Sequence, residues 1–117
     1  MTTPTKQTGA QPFVAFEISL EVIASLRDLV AVIRTRDLKL AQQIVASASS
    51  VAANLAEGNK RVGRDRVHFF RIASGSASET RAHLRVAMAW SWIEPRQVEQ
   101  AFKLLDRQLA LLWGLTR

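Results

Sequence analysis

Residues 37–58 read DLKLAQQIVASASSVAANLAEG, and this stretch decides the fold. Its apolar residues recur three and four positions apart, which is the period of one helix face; they are Ala41, Ile44, Ala48, Val51 and Leu55. Asp37 suits the N-cap, where a carboxylate can accept a hydrogen bond from a free backbone amide. Gly58 suits the position after the last turn, where a left-handed residue often ends a helix. We therefore predict a helix from Asp37 to Glu57.

A second face of this predicted helix is polar and has the same spacing. It carries Gln43, Ser47, Ser50, Asn54 and Glu57. A buried polar group left without a partner costs about 1–3 kcal/mol. We therefore expect Ser50, Asn54 and Glu57 to hydrogen-bond to one another, to Glu79 of the next helix or to the Gly58 turn. Their predicted role is structural, and it is to hold the second and third helices in register.

The rest of the chain also has helical spacing, and it shows no sustained alternation typical of strands. We predict further helices over Phe16–Arg34, Arg64–Trp90 and Pro95–Leu115, with a turn at 58–63. Pro95 suits the first turn of a helix. Helices of this length joined by short loops favour antiparallel neighbours. The predicted fold is an all-α, antiparallel four-helix bundle.

The first and third predicted helices each have a proposed core face. On the first, the main face carries Phe16, Leu20, Ile23, Leu26, Val30 and Ile33, and further apolar residues widen it. On the third, the face starts at Phe69 or Phe70 and continues through Ala73, Ala77, Thr80, Leu84 and Met88. The centre of the third helix is unusually small, and Gly75 there costs about 1 kcal/mol relative to alanine. We expect the close approach of another backbone to offset that cost.

More apolar residues are present than one small core should need. Those in apparent surplus are Leu104, Leu111, Trp113 and Leu115 on the last helix, and Ile18, Val22 and Leu29 on the first. A monomer should not expose so large an apolar surface. The surplus therefore predicts assembly of more than one subunit.

Length and composition bound the remaining possibilities. The chain has 117 residues, the size of one domain, and we divide it into a mobile polar tail over 1–14 and a helical domain over 15–117. It contains no cysteine, which excludes disulfides and thiolate metal sites. It has no signal-peptide pattern and no apolar run of the ~20 residues that span a bilayer. These features predict a cytoplasmic protein with no membrane contact.

Positive charge is concentrated in one segment. The net charge is +6, and most of the cations are arginines. Between residues 59 and 85, seven cations face two carboxylates, Asp65 and Glu79; the cations are Lys60, Arg61, Arg64, Arg66, Arg71, Arg81 and Arg85. Arginine forks match phosphate oxygens in pairs, so these seven form the predicted nucleic-acid-binding surface. A phosphate could also relieve the repulsion between Arg81 and Arg85. The alternative is a solvated helix face with partners four residues away.

Chemistry-bearing motifs are missing. The chain has no phosphate-binding glycine loop, zinc-protease motif or nucleophile elbow. His68 and His83 would lie about 22 Å apart on one straight helix, too far to share a metal, and Glu79 is a natural surface partner for His83. Glu57 and Glu79 are better explained as hydrogen-bond partners than as a catalytic pair. We therefore predict no catalytic residue, no metal and no cofactor.

Two tryptophans follow the third predicted helix. Trp90 and Trp92 could stack on nucleobases, or they could pack against the bundle or a neighbouring subunit. Their position beside Ile93, at a helix end, favours packing.

Two sequence blocks resemble a known family. Residues 50–58, SVAANLAEG, resemble the S-I-P-x-N-I-A-E-G motif of the four-helix proteins encoded within intervening sequences of bacterial 23S ribosomal RNA genes. Residues 69–80, FFRIASGSASET, are similar to that family's F-L-x-I-A-x-G-S-x-x-E pattern. The blocks place Ser50, Asn54, Glu57, Gly58, Gly75, Ser76 and Glu79 at motif positions. The family also includes the accessory proteins of diversity-generating retroelements.

The resemblance implies a homopentameric barrel with a basic surface or central channel. For retroelement members it implies binding of nucleic acid and of a reverse transcriptase. Where the family usually carries paired arginines in its second helix, this chain has Val45 and Ala46, and Ala52 replaces the motif's proline. A site on that helix is therefore not carried over. Our leading hypothesis is a non-enzymatic oligomer that binds structured RNA, DNA or a nucleoprotein through residues 59–85. The alternative is a protein-interaction scaffold without nucleic-acid contact.

Overall fold

The structure, a computed structural model, describes residues 13–117. Within this range the chain is all-helical and has no strand, as predicted. Its four helices are α1 (Val14–Arg34), α2 (Leu38–Asn59), α3 (Gly63–Ala89) and α4 (Pro95–Thr116). Each helix packs against two others, in the cyclic order α1, α2, α3, α4. The Ser47 hydroxyl meets that of Thr80, and the Ser50 hydroxyl meets that of Ser76. These pairings show that α2 and α3 run antiparallel.

The bundle starts earlier than the sequence predicted. α1 begins at Val14 instead of Phe16, and the Phe13 ring lies 5.7 Å from that of Phe70, centroid to centroid. Residues 13 and 14 are therefore part of the bundle and not of the expected tail. The rest of that tail, residues 1–12, lies outside the described range.

The predicted core face is correct on α2 and partly correct on α1, where Leu26 and Ile33 are buried and Phe16, Ile23 and Val30 are partly buried. All five predicted apolar residues of α2 are buried. On α1 the buried residues are Ala15, Ile18, Ser19, Val22, Leu26, Leu29 and Ile33, whereas Leu20 is exposed. The face chosen from the sequence is rotated because α1 is apolar over most of its circumference, so that several faces have similar spacing. On α3 the structure decides between the two phenylalanines, since Phe70 is buried and Phe69 only partly so.

Most of the apolar surplus fits inside one subunit, contrary to the prediction. Ile18, Val22, Leu29 and Leu104 are buried, and Leu111 and Leu115 are partly buried against the core. Of the seven surplus residues, only Trp113 is exposed. The bundle has room for the others because many of its buried residues are small, including Ala41, Ala48, Ala73, Ala77 and Ala87.

A polar layer divides the core. Each helix contributes one buried polar residue: Ser19, Ser47, Thr80 and Gln108. On α3 and α4 this residue separates members of two apolar clusters, and on α1 and α2 it lies close to the boundary between them. Ser47 and Thr80 hydrogen-bond to each other at 2.7 Å. The Gln108 amide is fully buried and has no hydrogen-bond partner among the described residues. Such layers favour one register, because any shift would bury polar groups against apolar ones.

The helix ends show one predicted cap and one error. Asp37 accepts a hydrogen bond from the Leu40 amide at 3.0 Å, as expected of an N-cap. Gly58 does not end α2 in a left-handed conformation, because the helix continues to Asn59 and its C-cap is Lys60. The left-handed glycine of this turn is Gly63, at φ +60°.

The two motif glycines have roles different from those expected. A Cβ on Gly58 would lie 2.6 Å from Cε1 of Phe70, so this glycine lets α2 and α3 approach closely. A Cβ on Gly75 would have no neighbour within 4 Å in the described chain. The close approach that the sequence assigned to Gly75 is therefore found at Gly58. Among residues 13–117, no helix is both long and apolar enough to cross a membrane.

Candidate nucleic-acid interface

The seven predicted cations divide into engaged and unengaged groups. Arg61 is fully engaged: its guanidinium donates to Glu57 at 2.8 Å and to Asp65 at 2.9 Å. These hydrogen bonds raise the pKa of Arg61 above its usual range, and the bond to Glu57 has the largest effect. Its guanidinium also lies 5.2 Å from the centre of the Phe69 ring. Arg61 therefore has the neighbours four residues away that the solvated-face alternative predicted.

Arg66 and Arg81 are also held by the protein. Arg66 lies 4.9 Å over the Phe70 ring, and its guanidinium donates a long hydrogen bond to the Asn59 carbonyl. Arg81 donates to Asp106 of α4 at 2.8 Å and covers the Phe102 ring. The Asp106 carboxylate of α4 therefore neutralises Arg81, a role that we had expected a phosphate to fill. These two arginines hold helices and rings in place.

The unengaged cations are Lys60, Arg64, Arg71 and Arg85, which form no ion pair within the described residues. Three of them lie on one exposed line along α3. This line, the basic stripe, consists of Arg64, His68, Arg71, Gly75, Ser78, Ala82, Arg85 and Ala89, and every member is exposed. At 1.5 Å per residue, Arg64 and Arg71 are about 10 Å apart along the helix, and Arg71 and Arg85 about 21 Å.

The composition of the basic stripe suits a rigid, anionic partner. It contains no carboxylate, and small residues separate Arg71 from Arg85. Gly75, Ser78 and Ala82 leave the helix backbone close to the surface between Arg71 and Arg85. A polyanionic backbone can therefore lie against α3 while the longer arginine side chains reach its phosphates. This arrangement gives a second reason for a glycine at position 75, namely that a small residue is needed on the outward face of α3.

The start of α3 forms the most basic part of the stripe. Arg64 and Arg71 border one concavity with Gly63, Val67, Thr116 and Arg117. Val62, the N-cap of α3, makes no side-chain capping bond. The first amides of a helix attract anions when they lack internal acceptors. The sequence analysis missed both Arg117 and His68. Arg117 lies 46 positions after Arg71, and only the antiparallel packing of α3 and α4 brings them together.

The motif residues at the α2–α3 contact form part of the predicted network. The Ser50 and Ser76 hydroxyls lie 2.9 Å apart, and the Asn54 amide donates to the Ser50 carbonyl at 2.9 Å. Glu57 bonds to Arg61 in the turn that follows α2. Glu79 was expected to join α2 and α3, which is wrong: its carboxylate is 3.2 Å from Nε2 of His83 on its own helix. Glu79 is exposed, so it faces away from α2.

The outer face of α2 carries no substitute for the family's arginine pair. Val45 is 51% exposed, and Ala46 is exposed beside it. The cations of the candidate interface therefore lie on α3 and at the two neighbouring helix ends. Within residues 13–117, no group of histidine and carboxylate side chains is placed to hold a metal ion.

Comparisons with known proteins agree with this fold. The sequence profile of the 23S rRNA-intervening sequence protein family matches residues 14–114. A crystal structure from Bacteroides thetaiotaomicron VPI-5482, of a protein with unknown function from the S23 ribosomal protein family, superposes with a TM-score of 0.81. The two chains are 23% identical, and the match covers 88% of this chain and 98% of the other. No protein of curated function matches the sequence.

Proposed function

The chain belongs to the 23S rRNA-intervening sequence protein family, and from this premise we propose that it binds the phosphate backbone of structured RNA or DNA without catalysing a reaction. The binding surface is the basic stripe of α3 together with Lys60 and Arg117. The observation that carries this proposal is a line of three arginines on the exposed side of α3, which contains no carboxylate and whose arginines form no ion pair within residues 13–117.

The charge distribution supports backbone contact instead of base reading. Arginine and lysine contacts to phosphates release condensed counterions, and this release supplies most non-specific affinity. Such contacts fix position on the duplex and carry no sequence information. The stripe has no Asn or Gln to read adenine and no carboxylate to read cytosine, and we assign its arginines to phosphates. The expected ligand is therefore recognised by its charge and shape. We place the protein in the cytoplasm.

A direct titration tests this function. A labelled RNA hairpin, titrated with the protein at about 50 mM salt, should bind and should be displaced by unlabelled duplexes of unrelated sequence, because phosphate contacts are independent of sequence. Absence of binding at this salt concentration would contradict the proposal and leave the protein-interaction scaffold as the function. That alternative has its own support in an apolar groove between α1 and α2, lined mainly by Ile23, Leu26, Val30, Ile44, Val45 and Ala48.

We also propose that several copies of the chain assemble, and that the subunits meet through α1 and α2. The groove between these helices is apolar, and Leu20, Val32, Leu38 and Val45 are exposed on the same helices. Contact there would leave the basic stripe of α3 accessible in every subunit, so that weak phosphate contacts act together. The family resemblance implies five subunits, and we take this number as the expected one. A reverse transcriptase or another nucleoprotein is a further partner consistent with such a basic assembly.

Light scattering after size exclusion tests the assembly. The expected mass is about five times the 13.0 kDa of one chain. Assembly is favoured because burying the exposed apolar groove contributes ~25 cal/mol per Å². Val45→Glu should lower that mass, because it places a charge in the groove. The matched change Ala82→Glu, on exposed α3, should not. A stable species near 13 kDa at micromolar concentration would contradict the assembly.

A further inference from the structure

The turn after α3 fixes two tryptophans in a defined arrangement. Ser91 has φ +61°, the left-handed conformation. Its amide donates to the Met88 carbonyl at 2.8 Å, and the amide of Trp92 donates to the Ala87 carbonyl at 3.0 Å. These two bonds define a Schellman motif, which reverses the chain direction at a helix end. Trp90 and Trp92 flank the left-handed residue, so the turn brings their side chains together.

The two indole rings form a stack with one open face. Their centroids are 5.7 Å apart, and the ring planes differ by 14°. Trp92 is partly buried against the main apolar cluster, whereas Trp90 is 66% exposed. Trp92 therefore anchors the orientation of Trp90. A third aromatic ring can be added to Trp90 at little cost in side-chain entropy, because the receiving ring is already held.

The surroundings of this stack are cationic. The same end of the bundle carries Arg34, Arg36 and Lys39 near the α1–α2 turn, and Arg85 and Arg96 near the α3–α4 turn. None of these five cations forms an ion pair within the part of the chain that the structure describes. Three carboxylates lie at the same end: Asp37 and Glu94 act as helix caps, and Glu99 is exposed in the second turn of α4. An exposed aromatic at an end of the bundle where cations outnumber carboxylates suits an aromatic ligand that carries negative charge.

The position of the stack relative to the basic stripe further limits the class of ligand that fits. The stripe from Arg64 to Ala89 is about 38 Å long, which is long enough to follow several phosphates of a duplex. Trp90 directly follows the last residue of the stripe. A base within a duplex has both faces covered by its neighbours, so only an unpaired base can offer a face to an aromatic side chain.

We propose that Trp90 is a stacking platform for an unpaired nucleobase, and that the protein therefore prefers a duplex with a single-stranded extension over a blunt one. This inference rests on the proposed nucleic-acid binding and adds the ligand class to it. The stripe holds the phosphates of the paired region, and Trp90 holds the first unpaired base beyond it.

The test uses two RNA hairpins with the same stem, one blunt and one with a four-nucleotide extension. Wild-type protein should bind the extended hairpin more tightly. Trp90→Ala should weaken binding of the extended hairpin about 5- to 150-fold, the equivalent of ~1–3 kcal/mol per stacked base. It should change affinity for the blunt hairpin less than about twofold. Trp90→Phe should retain part of the preference, because a smaller ring can still stack.

Trp113→Ala is the matched control, because Trp113 is 65% exposed and lies near the other end of the bundle, on α4. Because the Arg117 guanidinium lies 5.8 Å from the centre of the Trp113 ring, any loss of phosphate contact in this variant should be the same for both hairpins. The preference for the extended hairpin should therefore be unchanged. Equal binding of the two hairpins by wild type, or an unchanged preference in Trp90→Ala, would overturn the platform and leave the stripe intact. A fall in assembly mass for Trp90→Ala would identify Trp90 as a subunit contact and also overturn the platform. Failure of wild type to bind either hairpin would instead overturn the proposed function on which the platform depends.

Discussion

Replacing Gly58 with valine should destabilise the bundle by about 3 kcal/mol, near the upper end of the cost of overpacking a core. Even the first carbon of the new side chain would lie 2.6 Å and 2.8 Å from two carbons of the Phe70 ring. That ring cannot move aside easily, because it is 1% exposed and lies between Phe13 and the Arg66 guanidinium. For a chain of this size, the expected fall in melting temperature is about 10 °C.

Gly75 provides the matched control for this prediction. Both glycines are helical, but alanine at Gly75 meets no atom within 4 Å in the described chain. Gly75→Ala should therefore raise stability by about 1 kcal/mol through helix propensity alone. A second control combines Gly58→Val with Phe70→Leu, which removes the ring that the valine meets. The double variant should be more stable than the sum of the single effects predicts.

Thermal unfolding of the variants, with assembly mass measured in parallel, tests which of the two glycines is needed for close packing. Unchanged melting of Gly58→Val would mean that α2 and α3 do not approach as closely as described. If Gly75→Ala lowered the melting temperature together with the assembly mass, Gly75 would be packed against a second subunit. The close approach expected there from the sequence would then be correct between subunits.

The second large effect should come from the basic stripe. The double variant Arg64→Gln/Arg71→Gln should weaken RNA binding about 10- to 100-fold at 0.1 M salt, because each charged hydrogen bond contributes ~1.5–3 kcal/mol before solvent screening. Both side chains are exposed and lack ion-pair partners among the described residues, so the melting temperature should not change. In an assembled ring the loss should be larger, since each subunit loses the same contacts.

The control variant is Lys103→Gln/Arg107→Gln on α4. It removes the same charge from equally exposed positions outside the stripe. Long-range attraction of the anion should fall equally in both variants, because the net charge is the same. Only the α3 variant should lose the larger part of the affinity. Equal losses in the two variants would mean that overall charge, and not the stripe, binds the nucleic acid.

Much of the fold could be predicted because it depends on local periodicity. The buried face of α2, from Ala41 to Leu55, follows directly from residues three and four positions apart. The same reasoning located the α1 face only in part and included the exposed Leu20, because Leu20 and Ile18 have equally regular neighbours. Only contacts with the other helices determine which of these faces is inside.

The candidate site was less predictable because its electrostatics depend on distant residues. The local count of charge correctly located the cations but could not show that Asp106, 25 positions later, neutralises Arg81. It also could not place Arg117 beside Arg71. The role of Gly58 was hidden for the same reason, since Phe70 reaches it across the α2–α3 contact. The spacing of Arg64, Arg71 and Arg85 in multiples of seven was a signal available in the sequence.

The salt dependence of RNA binding tests the central claim most directly. For the wild type, the logarithm of the binding constant should fall linearly with the logarithm of salt concentration. The slope should be about −2 or steeper for the three arginines of one stripe. The slope of the Arg64→Gln/Arg71→Gln variant should be smaller by about two, one for each lost phosphate contact. Binding that is insensitive to salt, or an identical slope in wild type and variant, would contradict phosphate binding by the basic stripe of α3.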